Sequence, residues 1–309
     1  MKKLPLAVAV AAVVAGGVAH SYQMGIYDNG LLVPRVIHNG TGDTTAVGLV
    51  THGCPTNNNM VYWAFFDENS KHLTDGHFPM TDADVHAFVW AAEAGQGLAG
   101  VPGYLVFFVS TNGDNAADDR DTPCLAGEAF HVVAGDADVA YRPVWPINYQ
   151  DANGGAGVPD LTAMDDTTIT TLQAGALDAI GAGGNELIAM RYSIANGDTT
   201  EVVTWSAESI GGPGKEYTVN LYDDQENRKS VNIPFPNEEQ NVIDPSAIVG
   251  RPANFVNGFI EWRTPDDGAG DYVDNPPANT PDGNGVVSYS VVRSAAFSAR
   301  QTIVNPHHP

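Results

Sequence analysis

The chain has 309 residues, of which 37 are Asp or Glu and 14 are Lys or Arg, and its formal net charge is −23. This charge argues against nucleic acid as a partner, because an acidic surface repels a phosphate backbone, and against anionic membranes for the same reason. Hydrophobic residues make up 43% of the chain, which suffices for packed cores and excludes a globally disordered protein.

Residues 1–21 have the order of features found in a secretory signal peptide. Lys2 and Lys3 form a basic start, residues 4–18 are an apolar run, and small residues around Ala19 offer a cleavage site. A buried N-terminal helix is the alternative. No later segment reaches the roughly 20 apolar residues of a membrane span. We therefore expect an exported protein without a membrane span, in the periplasm, on the cell surface or outside the cell.

Residues 22–148 are predicted to form a first β-sandwich domain. Short runs of β-branched and aromatic residues alternate with turns rich in Gly, Asn and Asp. The expected strands cover residues 31–37, 45–51, 60–66, 71–73, 103–110, 128–133 and 138–144. The run 103–110 shows no polar alternation, so we expect it at the centre of a sheet. Residues 81–84 resemble a helix cap and predict a short helical turn that continues to Trp90.

Cys54 and Cys124 are the two cysteines of the chain, and both fall in this first domain. An even pair in an exported protein predicts a disulfide bond between them. Two free thiols are the alternative, which is less expected outside the cytoplasm.

Two acidic loops are candidate Ca²⁺ sites. Each follows the strand that we expect at the centre of its domain, and clustered carboxylates can supply the six to eight oxygen ligands that Ca²⁺ prefers. The residues are Asp114, Asp118, Asp119 and Asp121 in the first loop and Asp266, Asp267, Asp271 and Asp274 in the second. No EF-hand spacing is completed, and a solvated acidic loop is the alternative.

Histidines are concentrated in the first domain. His72 and His77 flank one expected turn and His86 lies just beyond it, which makes them candidate ligands for copper or zinc. Their spacing matches no known zinc motif, so scattered histidines without a metal are the alternative.

Residues 149–184 are predicted to be a linker rich in Gly, Asp and Thr, and residues 185–309 a second sandwich. Leu172, Ala176 and Ile180 are spaced by four, which indicates a short helix between residues 162 and 180. The expected strands of the second domain cover residues 187–193, 201–206, 217–222, 231–235, 259–262, 286–292 and 297–304.

A near-constant spacing relates the two domains. Asp67 and Asp223, each at the end of an aromatic strand, are 156 residues apart (223 − 67), and Gly103 and Gly258 are 155 apart (258 − 103). Phe-Pro pairs at 78–79 and 235–236 keep this spacing. The pattern predicts an all-β protein with two tandem immunoglobulin-like antiparallel sandwiches that arose by internal duplication. Jelly-roll and barrel topologies remain open.

Catalytic motifs are missing from the sequence, including the G-x-S-x-G elbow and the phosphate-binding loop. We therefore predict a non-catalytic structural or interaction protein that binds protein partners or assembles with itself into a fibre or layer. A metal-binding or carbohydrate-binding module is the alternative, since exposed aromatic side chains could stack on sugars. An enzyme of unrecognised type is a third hypothesis, which carboxylates converging in a cleft would favour. No bound cofactor is expected unless Ca²⁺ occupies the acidic loops.

Overall fold

The computed structural model describes residues 25–113, 121–147, 164–171, 186–207, 210–265 and 285–308. The protein is mostly β-structure in several antiparallel sheets, as the sequence predicts. Sheet I contains β2 (His38–Gly40), β3 (Asp43–Thr51), β6 (Val85–Val89), β8 (Leu125–Val133) and β9 (Asp138–Arg142). Sheet II contains β1 (Gly30–Val36), β4 (Asn59–Asp67), β5 (His72–Met80), β7 (Gly103–Ser110) and β10 (Trp145–Ile147).

The second half of the chain forms two further sheets. Sheet III contains β12 (Thr199–Trp205), β15 (Gln240–Ile243), β17 (Val287–Ser294) and β18 (Ala299–Val304). Sheet IV contains β11 (Leu187–Ser193), β13 (Glu216–Asp223), β14 (Arg228–Pro234), β16 (Asn257–Arg263) and β19 (His307–His308). The helices are α1 (Trp90–Glu93) and α2 (Asp166–Thr171), with 3₁₀ turns at Gln96–Leu98, Ala134–Asp136, Ala195–Gly197 and Pro245–Ala247.

The four sheets stack in the order I, II, III, IV, with a hydrophobic core between each neighbouring pair. Leu49 of sheet I and Phe107 of sheet II belong to the first core. Val106 of sheet II and Trp205 of sheet III belong to the second. The third joins sheets III and IV. Sheet II is therefore covered on both faces, which explains why every residue of β7 is buried and why its sequence lacks polar alternation.

The two halves have the same strand order. Sheet II runs β10-β1-β7-β4-β5, and sheet IV runs β19-β11-β16-β13-β14. In sheet I the strands run β6-β3-β8-β9, and in sheet III β15-β12-β17-β18. Strands that correspond in these orders also correspond in their order along the chain.

The Asp67 and Asp223 landmarks form the same hairpin turn in both halves. The Asp67 carboxylate accepts hydrogen bonds from the backbone N–H groups of Asn69 and Lys71. The Asp223 carboxylate accepts from those two and four residues later in the same way. Asp is favoured here because its short side chain can bind the backbone of its own turn.

Gly103 and Gly258 also occupy equivalent places, at the start of the central strands β7 and β16. A Cβ atom on Gly103 would lie 1.9 Å from the carbonyl oxygen of Phe66, and one on Gly258 would lie 1.8 Å from that of Tyr222. Only glycine permits such a close approach of two backbones. The repeated Gly is therefore explained by the pairing of β7 with β4 and of β16 with β13.

The prediction of a helical turn from residues 81–84 to Trp90 is wrong for most of that range. Val85–Val89 forms strand β6, which pairs with β3, and helix begins only at Trp90. Within the strand, Phe88 is buried while Val85 and Ala87 are exposed. This alternation has the period of a strand, and pairing with β3 outweighs the local capping pattern.

Only residues 164–171 of the predicted linker, residues 149–184, belong to the part of the chain that the structure describes. Helix α2 lies inside the predicted range 162–180, but Leu172, Ala176 and Ile180 lie outside the part that the structure describes. Met164 and Ile169 pack into the core between sheets II and III. In the described ranges, no helix is long and apolar enough to cross a membrane.

The predicted disulfide bond between Cys54 and Cys124 is confirmed, with the two Cα atoms 5.3 Å apart. Cys54 follows β3 and Cys124 precedes β8, and these strands are paired in sheet I. The bond therefore closes the end of this strand pair.

Candidate functional site: the interface between the halves

The two halves meet through the outer faces of sheets II and III, which are buried against each other. Tyr104, Val106 and Phe108 of β7 share one core with Trp205 of β12 and Tyr289 of β17. The Trp205 and Tyr104 rings make an edge contact with centroids 5.6 Å apart. The halves are thus joined by a hydrophobic core, in addition to the predicted linker.

Arg35 crosses this interface because of an irregularity in β1. The pairing of β1 with β7 shifts register between Val33 and Val36, and Arg35 has a φ of 61°. Such a bulge redirects a side chain that regular alternation would place elsewhere. Arg35 Nε donates to Glu201 Oε1 at 2.7 Å, and its Nη1 donates to Glu68 Oε1 at 3.1 Å. One residue of the first half therefore binds carboxylates of both halves.

Glu201 lies between two arginines. Its other oxygen accepts a hydrogen bond from Arg142 Nη1 at 3.1 Å, and the Arg142 guanidinium lies over the Tyr289 ring, 5.9 Å from the centroid. Burial opposes the charge of Glu201, but Arg142 and Arg35 outweigh it and lower the pKa of this carboxyl to about 2. For Glu68, burial dominates over Arg35 and raises the pKa above its usual value.

We expect Glu201→Gln to lower the free energy of unfolding at pH 7. The pKa of Glu201 is about 2 in the folded protein and 4.5 without these contacts. At 1.36 kcal/mol per pH unit, this difference corresponds to about 3 kcal/mol of folding stability from the ionised carboxylate. Because 29% of the side chain is exposed, we expect a loss nearer to about 2 kcal/mol. The loss should be constant above pH 4.5 and should shrink as the pH falls towards 2, where Glu201 becomes protonated in the folded protein too.

Urea denaturation of both proteins between pH 7 and 2 measures this difference. Glu216→Gln, at an exposed carboxylate of β13, is the matched control and should change the unfolding free energy by less than about 0.5 kcal/mol. A loss that is the same at pH 7 and pH 2 would show that the charge of Glu201 does not stabilise the interface.

A second polar contact joins the halves at Ser70. Its hydroxyl contacts the Tyr104 hydroxyl at 2.6 Å and donates to a carboxylate oxygen of Glu239 from the second half. Burial and the nearby Glu239 raise the pKa of Tyr104 well above its usual range, so this phenol stays protonated as a hydrogen-bond donor.

A cleft of about 710 Å³ opens where the halves meet. Residues of the first half, such as His131, and of the second half, such as Asp244, line it together with the Arg35, Glu201 and Arg142 group. His131 Nε2 lies 2.9 Å from an Asp43 carboxylate oxygen. Burial, and secondarily the charge of Arg142, lower the pKa of His131, which favours its neutral form.

The predicted Ca²⁺ residues lie mostly outside the described part of the chain. Asp114, Asp118, Asp119, Asp266, Asp267, Asp271 and Asp274 are all in this group. Asp121 is described and buried, and its carboxylate accepts hydrogen bonds from the backbone N–H and the hydroxyl of Thr111. Asp121 therefore helps to hold the ends of its loop together.

The three candidate histidines lie on two strands of different sheets. His72 and His77 lie on β5 of sheet II, whereas His86 lies on β6 of sheet I and stacks on Phe78 at 4.0 Å. Within the described ranges, no group of three or more His, Cys, Asp or Glu side chains is placed to hold a metal ion.

The outer face of sheet I is apolar except for Glu128, and it is partly open to solvent. Along the strands of sheet I, the residues of this face alternate with those of the opposite face, which covers the core between sheets I and II. Val85 is 72% exposed and Val139 is 49% exposed. The face consists of Ala46, Gly48, Val50, Val85, Ala87, Val89, Ala126, Glu128, Phe130, Val132, Val139 and Tyr141. The corresponding face of sheet III is the one that packs on sheet II.

The outer face of sheet IV is polar, with one aromatic pair. Tyr222 and Phe259 are stacked with centroids 4.6 Å apart and are partly exposed. At the equivalent place in sheet II, Phe66 and Tyr104 are stacked at 5.3 Å and buried against sheet III. Around the sheet IV pair, Asn220 Nδ2 donates to Glu261 at 2.9 Å.

Sequence reasoning missed both the cleft and the two outer faces. The scarcity of basic residues could have drawn attention to the arginines, but their positions along the chain do not show that they meet. No known family model matches the chain, and comparisons with curated proteins and with solved structures also find no match.

Proposed function

We propose that the protein is an exported, non-catalytic structural or interaction protein that assembles with copies of itself through the outer face of sheet I. The apolar character of this partly open face is the observation that carries the proposal. Exposed apolar faces of this kind are typical of contact surfaces between proteins. Edge-to-edge strand pairing at β5 and β14 is less favoured, because these edge strands contain Pro79 and Pro234, which lack the N–H donor that pairing needs.

We also propose that the chain arose by duplication of one sandwich unit. The common strand order, the Asp67 and Asp223 turns and the close approaches at Gly103 and Gly258 support this proposal. The relation to immunoglobulin-like domains is limited to the architecture of two antiparallel sheets. An immunoglobulin constant domain places its first two strands in one sheet, whereas here β1 and β3 lie in different sheets.

Export is part of the proposal. The basic and apolar start of the sequence supports it, although residues 1–21 lie outside the described part of the chain. The disulfide bond is compatible with an oxidising compartment.

The proposed contact is head-to-tail, with the outer face of sheet I on the outer face of sheet IV of the next copy. The chain already packs the equivalent faces, those of sheets III and II, against each other. A contact between two different faces leaves one of each free on the growing assembly, so it can continue into a filament. The Tyr222 and Phe259 pair would take the place that Phe66 and Tyr104 occupy inside the chain.

We expect Val139→Asp to prevent this assembly, because it places a charge in the apolar face. Since each chain carries a net charge of −23, copies repel each other, and association should increase between about 0.05 and 1 M NaCl as salt screens this repulsion. Sedimentation velocity at both salt concentrations, with electron microscopy of the high-salt sample, measures the result.

Val249→Asp is the matched control, because Val249 is 86% exposed and lies outside both faces. Tyr222→Ala tests the other side of the contact. A wild-type protein that stays monomeric in high salt would overturn the proposal. Dimers that respond to Val139→Asp but not to Tyr222→Ala would instead indicate a symmetric contact of sheet I with itself.

A carbohydrate-binding role is the second candidate, and the outer face of sheet IV favours it. A stacked aromatic pair beside amide and carboxylate groups can stack on a sugar ring and bind its hydroxyls. Retention on a glycan matrix that is lost in Tyr222→Ala but kept in Val139→Asp would support this role. Ca²⁺ binding by the acidic loops remains a prediction, which a melting temperature unchanged between EDTA and excess Ca²⁺ would remove.

A further inference from the structure

The cleft between the halves has a charge pattern unlike that of the whole chain. Five of the nine arginines line it, whereas its acidic lining residues number four. The arginines are Arg35, Arg142, Arg251, Arg293 and Arg300, and the acids are Asp43, Asp198, Glu201 and Asp244. The lining residues themselves carry a formal charge of +1 (5 − 4) in a protein of −23, and behind them Glu68, Asp136 and Asp138 pair with Arg35, Arg293 and Arg300. A cleft of about 710 Å³ is within the size range of small-molecule sites.

Among the described residues Arg251 has no carboxylate partner, and Arg293 has only a long ion pair with a carboxylate that it shares. Arg251 Nη1 donates to the backbone carbonyl oxygens of Pro252 and Phe255 at 3.2 and 2.8 Å, and among the described residues no carboxylate forms an ion pair with it. Arg293 Nε is 3.7 Å from Asp136, a carboxylate that Arg300 binds at 3.0 Å, while Arg300 also binds Asp138 at 2.8 Å. By contrast, Arg35 and Arg142 share Glu201.

Buried nitrogen atoms in the same lining also lack acceptors. Arg251 Nε and Arg142 Nε have no hydrogen-bond partner in the described part of the chain, and the Arg142 side chain is only 5% exposed. Buried guanidinium donors without an acceptor are costly, and such atoms commonly indicate that a ligand or an ordered water completes the site.

The rest of the lining indicates what the ligand would look like. Ile37, Val133, Ile194, Val242 and Val256 provide aliphatic surface, and no Phe, Tyr or Trp side chain is among the lining residues. The lining therefore lacks the large aromatic rings that usually stack on a sugar or a nucleobase. The four carboxylates disfavour a multiply charged anion such as a phosphate, whereas a single negative charge matches the +1 lining.

We propose that this cleft binds a small aliphatic carboxylate. The carboxylate accepts hydrogen bonds from the Arg251 and Arg293 guanidinium groups, and the hydrocarbon part lies on the valine and isoleucine side chains. The planar arginine group matches a carboxylate because it can donate two parallel hydrogen bonds. This site is separate from the faces proposed for assembly, so either proposal can fail alone.

Titration calorimetry of the full chain with pentanoate tests the site, with acetate and inorganic phosphate as comparison ligands at matched ionic strength. We expect saturable pentanoate binding, at least about 10-fold weaker binding of acetate because it lacks the hydrocarbon, and no binding of phosphate. Arg293→Gln should weaken pentanoate binding by about 10-fold or more. Arg228→Gln, at an exposed residue of β14 outside the cleft, is the matched control and should leave binding unchanged.

Arg251→Lys provides a second variant, since it keeps the charge but loses the planar donor pair, and it should also weaken pentanoate binding. Thermal denaturation of each variant confirms that it is folded. Absence of saturable pentanoate binding up to about 50 mM overturns the proposal, as does unchanged affinity in both Arg293→Gln and Arg251→Lys. Phosphate that binds more tightly than pentanoate, or acetate that binds equally well, overturns the proposed ligand class.

Discussion

Trp205→Ala should lower the free energy of unfolding of the whole chain by about 3–5 kcal/mol, the usual cost of removing a fully buried tryptophan. The Trp205 side chain is completely buried in the core between sheets II and III, against Tyr104 of the other half. Because that core belongs to both halves, we expect one cooperative transition that shifts as a unit. Denaturation followed by fluorescence and by circular dichroism measures the loss.

Phe297→Ala is the matched control, since Phe297 is 83% exposed and should contribute less than about 0.5 kcal/mol. Trp205→Phe keeps part of the packing and provides a folded variant if the alanine variant does not accumulate. Two separate unfolding transitions, only one of which shifts to lower denaturant in Trp205→Ala, would contradict this expectation. They would show that the halves are stable independently and that the shared core contributes little.

The second large effect concerns the disulfide bond. Replacing both Cys54 and Cys124 by Ala should lower the free energy of unfolding by about 4 kcal/mol, the chain-entropy value for a loop closed by residues 70 apart. Both side chains are buried, so alanine adds no polar group to the core. Denaturant unfolding of the variant and of the oxidised wild type measures the difference.

Reduced wild-type protein should resemble the double variant, which separates the effect of the bond from that of the substituted side chains. A double variant that is within about 1 kcal/mol of the oxidised wild type would show that the loop is already ordered in the unfolded chain.

Local chemistry explains why part of the fold was predictable. The Asp67 and Asp223 turns depend on a side chain that binds its own backbone within four residues, so the sequence spacing carries the signal. Gly103 and Gly258 are recognisable because no other residue fits beside the neighbouring strand. Pairing of Cys54 with Cys124 followed from their even number together with the expected export of the chain.

Local patterns failed where a distant strand decided the outcome. The sequence of residues 81–84 favours a helix cap, but the following residues lie beside β3 and form a strand instead. The candidate metal histidines likewise depend on tertiary placement, since His72 and His77 lie on β5 and His86 lies on β6 of another sheet.

From the sequence alone follow the all-β composition, the disulfide bond, and turns and glycines that recur at a constant spacing, because each depends on residue chemistry within one turn or one strand pair. Only the tertiary structure decided that sheets II and III bury each other, that a bulge directs Arg35 to Glu201, and that five arginines surround one cleft. These features join residues from about 60 to 260 positions apart, such as Glu201 and Arg142 or Arg300 and Arg35. No local sequence pattern predicts such contacts, because they form only when the hydrophobic faces of the sheets pack against each other. The sequence of each face does not indicate which other face it will pack on.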